Sequence, residues 1–373
     1  HKRHLGLRAP TVLAVGFALT ILVGALVLML PVSAADGQIT PFLDALFTAA
    51  SASCVTGLVT VSTAVHWSVF GKCVILLLIQ IGGLGFMSVA AIASFVLRRT
   101  ITLHERMVMS AGLNLSDGGG IVRLTRRVLF GTFIIEGTGA VLLSCRFVPH
   151  YGFPKGITMG VFHAVSAFCN AGFDLMGTPD DPFQSLIGWA EDPLVNITVM
   201  ALIVLGGLGF FVWSDVWDKH SFRRLSLHTK IVLTATAGLL LFGFGWTLLF
   251  EWSNPATLGA FDTPHKLLAA AFESVTLRTA GFNTIDLGAL TGPSQAVSCL
   301  LMFIGGSPGS TAGGIKTVNG GRARAHGHQR LLRAHNGFGV RPDDCAAQHH
   351  ERRNPAHGRR RALSGRRLCD RRN

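Results

Sequence analysis

Three glycines recur at matching places and share a chemistry that a metal cation would use. Gly57 closes the stretch Phe47-Thr-Ala-Ala-Ser-Ala-Ser-Cys-Val-Thr-Gly57, Gly172 closes Phe162-His-Ala-Val-Ser-Ala-Phe-Cys-Asn-Ala-Gly172, and Gly281 closes Phe272-Glu-Ser-Val-Thr-Leu-Arg-Thr-Ala-Gly281. A dehydrated alkali cation needs about six to eight oxygens in place of its water shell, and backbone carbonyls supply them without burying a formal charge. Aiming successive carbonyls at one axis takes the chain through conformations that a Cβ resists, so glycine is the natural residue there. On this reading Val55, Thr56 and Gly57, then Asn170, Ala171 and Gly172, then Thr279, Ala280 and Gly281 line a filter that binds the ion. Any one of these glycines alone is equally well a helix C-cap; three in equivalent places favour a shared role. The third stretch is one residue shorter from Phe to Gly than the other two. We therefore expect the glycines, rather than the phenylalanines, to be the equivalent points.

A second glycine cluster follows each stretch: Gly82-Gly-Leu-Gly-Phe86, Gly206-Gly-Leu-Gly-Phe210, and Gly305-Gly-Ser-Pro-Gly309. The third continues to Gly314 with five glycines and a proline in ten residues, which breaks a helix at mid-membrane depth. Irregular backbone at that depth belongs against a conduction path. We read Gly305, Gly306, Ser307, Gly309, Ser310, Thr311, Gly313 and Gly314 as an intramembrane gating loop below the filter, with Lys316 toward the cytoplasmic side. A nucleotide-binding P-loop is the rival for Gly309 to Thr317, but Ile315 separates Gly314 from Lys316 and no strand precedes the motif.

These loops need elements to hold them. Six long apolar segments stand out: Thr11 to Leu30, Cys73 to Leu97, Val128 to Cys145, Leu194 to Trp213, Ile231 to Phe250, and Ala296 onward. Thr11 to Leu30 is 20 residues without a charge, about 30 Å at roughly 1.5 Å per residue, enough to cross the hydrocarbon core. Within each pair lies a shorter stretch, about Pro41 to Ser53, Ile157 to Phe168 and Pro264 to Leu277, too short to cross. Each reads as a re-entrant half-helix. The fold class expected is therefore an all-α membrane protein of repeated helix, pore loop, helix units around a central pore. Residues 1–97 form the first repeat, 98–213 the second and 214–317 the third, with the gating loop at 305–314.

Of 373 residues, 49% are hydrophobic and only 14% charged, too apolar for an ordinary soluble surface. The formal charge of +13 suggests nucleic acid until its location is examined: from Val318 onward 14 arginines face four acids, and the body keeps 19 basic against 16 acidic residues. No nucleic-acid reading survives for the body. We read the arginine-rich stretch 318–373 as a non-membrane tail, and its abrupt change of composition as an artefactual C-terminus such as an out-of-frame translation; a disordered basic tail is the other reading. His1 in place of Met suggests a trimmed start. The body's cysteines, Cys54, Cys73, Cys145, Cys169 and Cys299, have no metal-ligand spacing and are expected as buried thiols.

The loops between repeats carry the positive charge: Arg98, Arg99, Arg106, Arg123, Arg126 and Arg127 in one, Lys219, Arg223, Arg224 and Lys230 in the other. The connections that contain half-helices hold only Lys72, Lys155, Lys266 and Arg278. By the positive-inside rule the inter-repeat loops and the N-terminus with Lys2, Arg3 and Arg8 are cytoplasmic, and the half-helices enter from outside. Asp174, Asp180, Asp181, Glu191, Asp192 and Asp286 then fall on the outer side, either gathering cations at a vestibule or simply solvated. Glu136, His163 and Glu273 lie inside apolar stretches and are expected to have partners or to meet water, His163 and Glu273 anchoring their re-entrant loops. No metal-protease motif, paired intramembrane aspartates or Ser-His pair at catalytic spacing marks an enzyme. Three units running in one orientation also speak against a secondary transporter of inverted repeats.

At these residues the chain resembles the Trk/Ktr/HKT superfamily of potassium-translocating membrane proteins, the bacterial Ktr and Trk subunits most of all. The resemblance rests on the stretch around Gly57, His163 to Asp174, Ser274 to Asn283 and Gly305 to Thr317, and spans roughly residues 10 to 317. It implies four repeats around one path in the cytoplasmic membrane, potassium selectivity from filter glycines, and an intramembrane loop in the third repeat that obstructs the pore. Gly57 matches the potassium-selective pattern rather than the sodium-selective plant variant with serine there. The resemblance also implies a homodimer in membrane lipid docked on a cytoplasmic ring of nucleotide-binding regulatory subunits, with K+ as the transported ion, Na+ or H+ as candidates for coupling, and no bound cofactor. Only three of the family's four repeats are visible, the fourth being replaced by the arginine-rich tail. A path lined on three sides is expected not to conduct selectively by itself. The alternatives are a non-conducting fragment of such a transporter and a sodium-coupled secondary transporter.

Overall fold

Long apolar runs make the spanning helices here, and glycines and prolines decide where several of them stop or bend. The computed structural model describes residues 9–85 and 121–315, all of them within one compact unit, His1–Asn319; the unit Gly320–Asn373 lies outside the described residues. So do Lys2, Arg3, Arg8, Arg98, Arg99, Arg106 and Lys316, and with them part of the charge argument for orientation.

Every named element among the described residues is helical, with one isolated antiparallel bridge between Ala34 and Trp67. Helix α1 (Ala9–Leu28) carries no charge and suits lipid along its length. The half-helix α2 (Phe42–Cys54) follows, then α3 (Val69–Leu84), capped by the Ser68 side chain, which accepts from Gly71 N at 3.2 Å. Helix α4 (Ile121–Tyr151) turns at Gly152 into the half-helix α5 (Phe153–Phe168). Asp192 caps α6 (Pro193–Leu208), and α7 (Phe210–Lys219), α8 (Leu227–Glu251), the half-helix α9 (Thr263–Thr276) and α10 (Gly292–Phe303) complete the set.

By length and composition Thr11–Leu28, Thr125–Tyr151 and Leu227–Glu251 can each cross a membrane, and α6 with α7 makes a fourth span if the bent pair is one. The chain is thus a multi-pass membrane protein. Each half-helix packs on the helix that precedes it: α2 on α1, α5 on α4, α9 on α8. The second helix of a unit then packs on the half-helix of the next, α3 on α5 and α6 on α9. That repeated offset carries the three half-helices around a common centre. The main core runs through all of them, from Ala49 and Ala52 in α2 through Phe168 to Phe272 and Phe282.

Three expectations change. The half-helix α5 starts at Phe153, four residues before Ile157, because Pro154 fits the first helical turn after the bend at Gly152. The segment Leu194 to Trp213 is no straight span: Gly209, at φ 91° and ψ 148°, turns it through 92° between α6 and α7. Of the five body cysteines only Cys169 is buried; Cys54, Cys73, Cys145 and Cys299 are exposed on the protein surface. A thiol is apolar enough to face lipid, so an apolar segment does not by itself turn its cysteines inward.

Candidate functional site

A left-handed residue lies within three positions beyond each half-helix, and the same backbone alternation follows it three times. Val55, Asn170 and Thr279 have φ of 56°, 56° and 68°, and two residues later Gly57, Gly172 and Gly281 have 80°, 69° and 83°. The residue between them, Thr56, Ala171 or Ala280, is not in that region. Alternating the sign of φ turns successive peptide planes so that neighbouring carbonyls can face one side, as a line of cation ligands requires. Val55 and Thr279 are β-branched, and such residues rarely adopt φ > 0; that strain persists only where the surroundings impose it, typically at a functional site.

The closures explain the odd length of the third loop. In the first two, Thr56 N donates to Ser51 O (2.9 Å) and Val55 N to Ala52 O (3.3 Å), while Ala171 N donates to Ser166 O (2.8 Å) and Asn170 N to Ala167 O (3.1 Å). This is the Schellman pairing, in which the turn's N–H groups satisfy the last helical carbonyls. The third loop, one residue shorter, closes instead with Ala280 N on Thr276 O at 2.9 Å. The deletion is absorbed in the helix end, and Thr279 and Gly281 keep their conformations.

The loops meet at their glycines. A Cβ on Gly57 would lie 2.7 Å from Ala171 O and 3.3 Å from Gly172 Cα; one on Gly172 would lie 2.8 Å from Ala280 O and 3.1 Å from Gly281 Cα. Adjoining them is a cavity of about 200 Å³, lined among others by Gly57, Gly172, Gly281, Asp174 and Asn283. Its walls are stitched across units: Ser62 Oγ donates to Pro182 O (2.7 Å), and Asn283 N donates to Ser185 Oγ (3.2 Å). Of the six acids expected on this side, Asp174 lines the cavity. Asp192 caps α6 and pairs with Arg146 at 2.6 Å, and Asp286 caps a short turn through Gly288 N, so both have structural employment. Asp180, Asp181 and Glu191 are exposed.

Behind the second loop the polar groups are engaged. His163 Nδ1 bonds Met159 O (2.7 Å) and its Nε2 accepts Leu175 N (3.2 Å), so the neutral imidazole ties the chain beyond Gly172 back to α5. Ser166 Oγ donates to Phe173 O and Thr276 Oγ1 to Phe282 O, both at 2.6 Å, the same tie in two units. Glu136 takes the Gln80 amide on both carboxylate oxygens, at 3.2 and 3.1 Å, with the Cys169 thiol 4.0 Å from Oε1. Glu273 is buried, and neither carboxylate oxygen has a hydrogen-bond partner among the described residues. Arg278, counted above among the basic residues of an outer connection, is also buried and donates Nη2 to Gly305 O at 3.0 Å.

The Gly-rich stretch is built against the break in the second unit. Ending α6 at Leu208 strands its last four carbonyls, and each finds a donor: Trp213 Nε1 on Leu205 O (3.0 Å), Thr311 N on Gly206 O (3.2 Å), Ser307 N on Gly207 O (3.2 Å) and Ser307 Oγ on Leu208 O. In return Phe210 N donates to Gly309 O at 2.9 Å. Within the loop, Gly306 N reaches Gly313 O (3.3 Å) and Ser310 Oγ reaches Ser307 O (2.7 Å).

The structure thus brings Val55 to Gly57, Asn170 to Gly172 and Thr279 to Gly281 together, with 305–314 beside the last two; Lys316 lies outside the described residues. Sequence reasoning missed the side-chain roles of Asn170 and Ser307 and the bend at Gly209. The repeated Gly-Gly-Leu-Gly cluster was the available signal for the bend.

The model of the TrkH family, described as cation transport protein, matches residues 11–336. The chain is 45% identical over 307 residues to the Ktr system potassium uptake protein B of Bacillus subtilis, covering 82% of this chain and 67% of that protein. It is 42% identical over 306 residues to the potassium/sodium uptake protein NtpJ of Enterococcus hirae, covering 82% and 66%. The crystal structure of the potassium transporter TrkH from Vibrio parahaemolyticus superposes with a TM-score of 0.63 at 17% identity, over 91% of this chain and 66% of that one, a likeness of fold. The chain spans about two thirds of the length of the curated relatives it matches. It belongs to the TrkH family of cation transport proteins.

Proposed function

We propose that the chain carries ion-path elements of a bacterial potassium uptake protein in the cytoplasmic membrane. The observation that carries this reading is the contact of three loops, each with a left-handed residue two before a left-handed glycine, at Gly57, Gly172 and Gly281. Three helix C-termini end at those loops, and the partial negative charge of a helix C-terminus favours a cation there. Carbonyls of Val55 to Gly57, Asn170 to Gly172 and Thr279 to Gly281 replace the water shell of K+, and the loop 305–314 obstructs the path on the side away from the Asp174 cavity. The names of the relatives, potassium uptake protein B and potassium/sodium uptake protein, support the cargo.

The N-terminus lies in the cytoplasm on this reading, the protein works as a homodimer, and a ring of nucleotide-binding regulatory subunits docks on the cytoplasmic face. The role is translocation, with no chemical step assigned. A second reading, in which Na+ shares or drives the flux, is favoured by the 42% identity to NtpJ.

The test is K+ uptake by the full chain in a bacterial strain stripped of its own uptake systems, with membrane insertion checked by fractionation. Growth at low K+ that is lost on Gly57→Ser supports the reading. A well-inserted chain that gives no uptake, alone or with a fourth helix, pore loop, helix unit supplied, refutes it.

A further inference from the structure

At the left-handed position of each loop the first unit has Val55, while the second and third have polar residues, Asn170 and Thr279. Val55 turns toward α3: a Cβ on Gly82 would lie 3.0 Å from its Cγ2. The two polar residues turn to the Gly-rich loop. Asn170 Nδ2 donates to Thr311 Oγ1 at 3.1 Å, and Gly313 N donates to Thr279 Oγ1 at 2.9 Å. Thr311 does more than accept. Its hydroxyl donates to Phe168 O at 3.0 Å and its N–H to Gly206 O at 3.2 Å.

Phe168 ends α5, and the carbonyls of Val165, Ser166 and Ala167 are taken by Cys169 N, Ala171 N and Asn170 N within the loop itself. The fourth, Phe168 O, has its hydrogen bond from Thr311, 143 residues away. One side chain therefore completes the helix end from which the second loop springs and holds the amide of a residue inside that loop. Thr311 and Asn170 are 8% and 1% exposed, so water offers neither a ready substitute.

We propose that Thr311 is a positioning residue for the second filter loop. The Gly-rich loop and the second and third filter loops form one hydrogen-bonded unit, latched by Thr311 at Asn170 and by Gly313 at Thr279. Displacing the Gly-rich loop then loosens two of the three loops that choose the ion, so opening the path and relaxing its selectivity are linked. This rests on the ion-path reading above for its meaning, but the latch itself has a readout that needs no ion flux.

That readout is amide hydrogen exchange on the full chain in detergent, followed in peptides covering 166–173, for the protein and for Thr311→Val and Thr311→Ser. The valine keeps the branched shape and loses the hydroxyl. Exchange at 166–173 should quicken about tenfold or more in Thr311→Val, which loses the two buried hydrogen bonds of that hydroxyl, and stay unchanged in Thr311→Ser. In proteoliposomes, with a fourth helix, pore loop, helix unit supplied, the same pair should separate again, the valine variant losing about fivefold or more of its preference for K+ over Na+ and the serine variant keeping it. Ser310→Ala serves as the comparison, since among the described residues Ser310 Oγ bonds within the loop, to Ser307 O; it should quicken exchange at 305–314 without changing 166–173. Unaltered exchange at 166–173 in Thr311→Val overturns the latch whatever the flux shows, whereas absent flux with quickened exchange sinks the transport reading and leaves the latch standing. If Thr311→Val does not fold, Asn170→Leu read at 305–314 asks the same question from the other end, and unchanged exchange there overturns the latch equally.

Discussion

Gly57 lies with its Cα face against the carbonyl oxygen of Ala171 in the next unit: a Cβ placed on it would sit 2.7 Å from that oxygen. At φ 80° a side chain there is strained even before the clash, by about 1 to 2 kcal/mol for an L-residue in the left-handed region. Gly57→Ser thus has to push two loops apart and adds a hydroxyl beside the carbonyls. We expect its preference for K+ over Na+ to fall by about tenfold, the equivalent of about 1.4 kcal/mol of discrimination. Competing K+ and Na+ fluxes in proteoliposomes, with a fourth helix, pore loop, helix unit supplied, give the number, and an unchanged ratio would remove Gly57 from the ion's path.

Glu136 is a carboxyl inside the protein whose chief partner is one amide. Gln80 reaches it from α3 while Glu136 projects from α4, so the pair joins the first two units behind Cys169 and the second loop. Gln80→Leu leaves the carboxyl with the weak thiol donor alone, and should cost about 1 to 3 kcal/mol, the range for a buried polar group that loses its partner. Glu136→Gln keeps a hydrogen-bonding group in place and should cost less. Thermal unfolding in detergent ranks the two, and an equal or reversed order would show that the amide is not what holds the carboxyl.

Much of this was legible in the sequence, and the failures are informative. Glycine position and helix length are local properties, so the three stretches, the short half-helices and the break at Gly305 could be read directly. The equivalence of Gly57, Gly172 and Gly281 despite a missing residue was also legible, since only glycine tolerates the left-handed turn without strain. What could not be read is whatever depends on the partner across a gap. Asn170 looks like one more loop amide until Thr311 is brought to it, and Ser307 is an ordinary hydroxyl until α6 ends at Leu208 and needs a donor. The cysteines failed because apolar sequence does not separate a face toward protein from one toward lipid; Cys73 and Cys145 sit on helices whose outer sides are exposed.

His163 is fully buried with both ring nitrogens used, one toward Met159 O and one toward Leu175 N. It ties the chain after Gly172 back to α5. His163→Ala opens a hole and strands the Leu175 N–H, and should destabilise the protein by about 2 to 4 kcal/mol from the lost packing and the unpaired donor. His163→Gln can still accept from Leu175 N and should recover part of the loss. Parallel denaturation of the two variants checks this; a glutamine no better than alanine would mean that ring packing against Phe147 and Phe282, rather than the hydrogen bond, fixes the loop.

Ser307 helps to keep the Gly-rich loop in place. Gly209 bends α6 into α7, and without an outside donor the carbonyl of Leu208 would be left inside the protein with no partner, a cost of about 1 to 3 kcal/mol. Ser307 provides that donor through its hydroxyl while its own N–H serves Gly207 O, so one residue caps two positions of a helix from another unit. Ser307→Ala retains the second bond and deletes the first. If 305–314 obstructs the path, the closed arrangement alone depends on this hydroxyl, because a displaced loop leaves the Leu208 carbonyl to other donors. Losing it therefore shifts the balance toward the open arrangement, and K+ flux should rise by about tenfold for a loss of about 1.4 kcal/mol. Flux through Ser307→Ala proteoliposomes that is equal to or below that of the unaltered protein, at equal protein incorporation, would mean that the loop is scaffolding for the bend at Gly209 and does not gate the path.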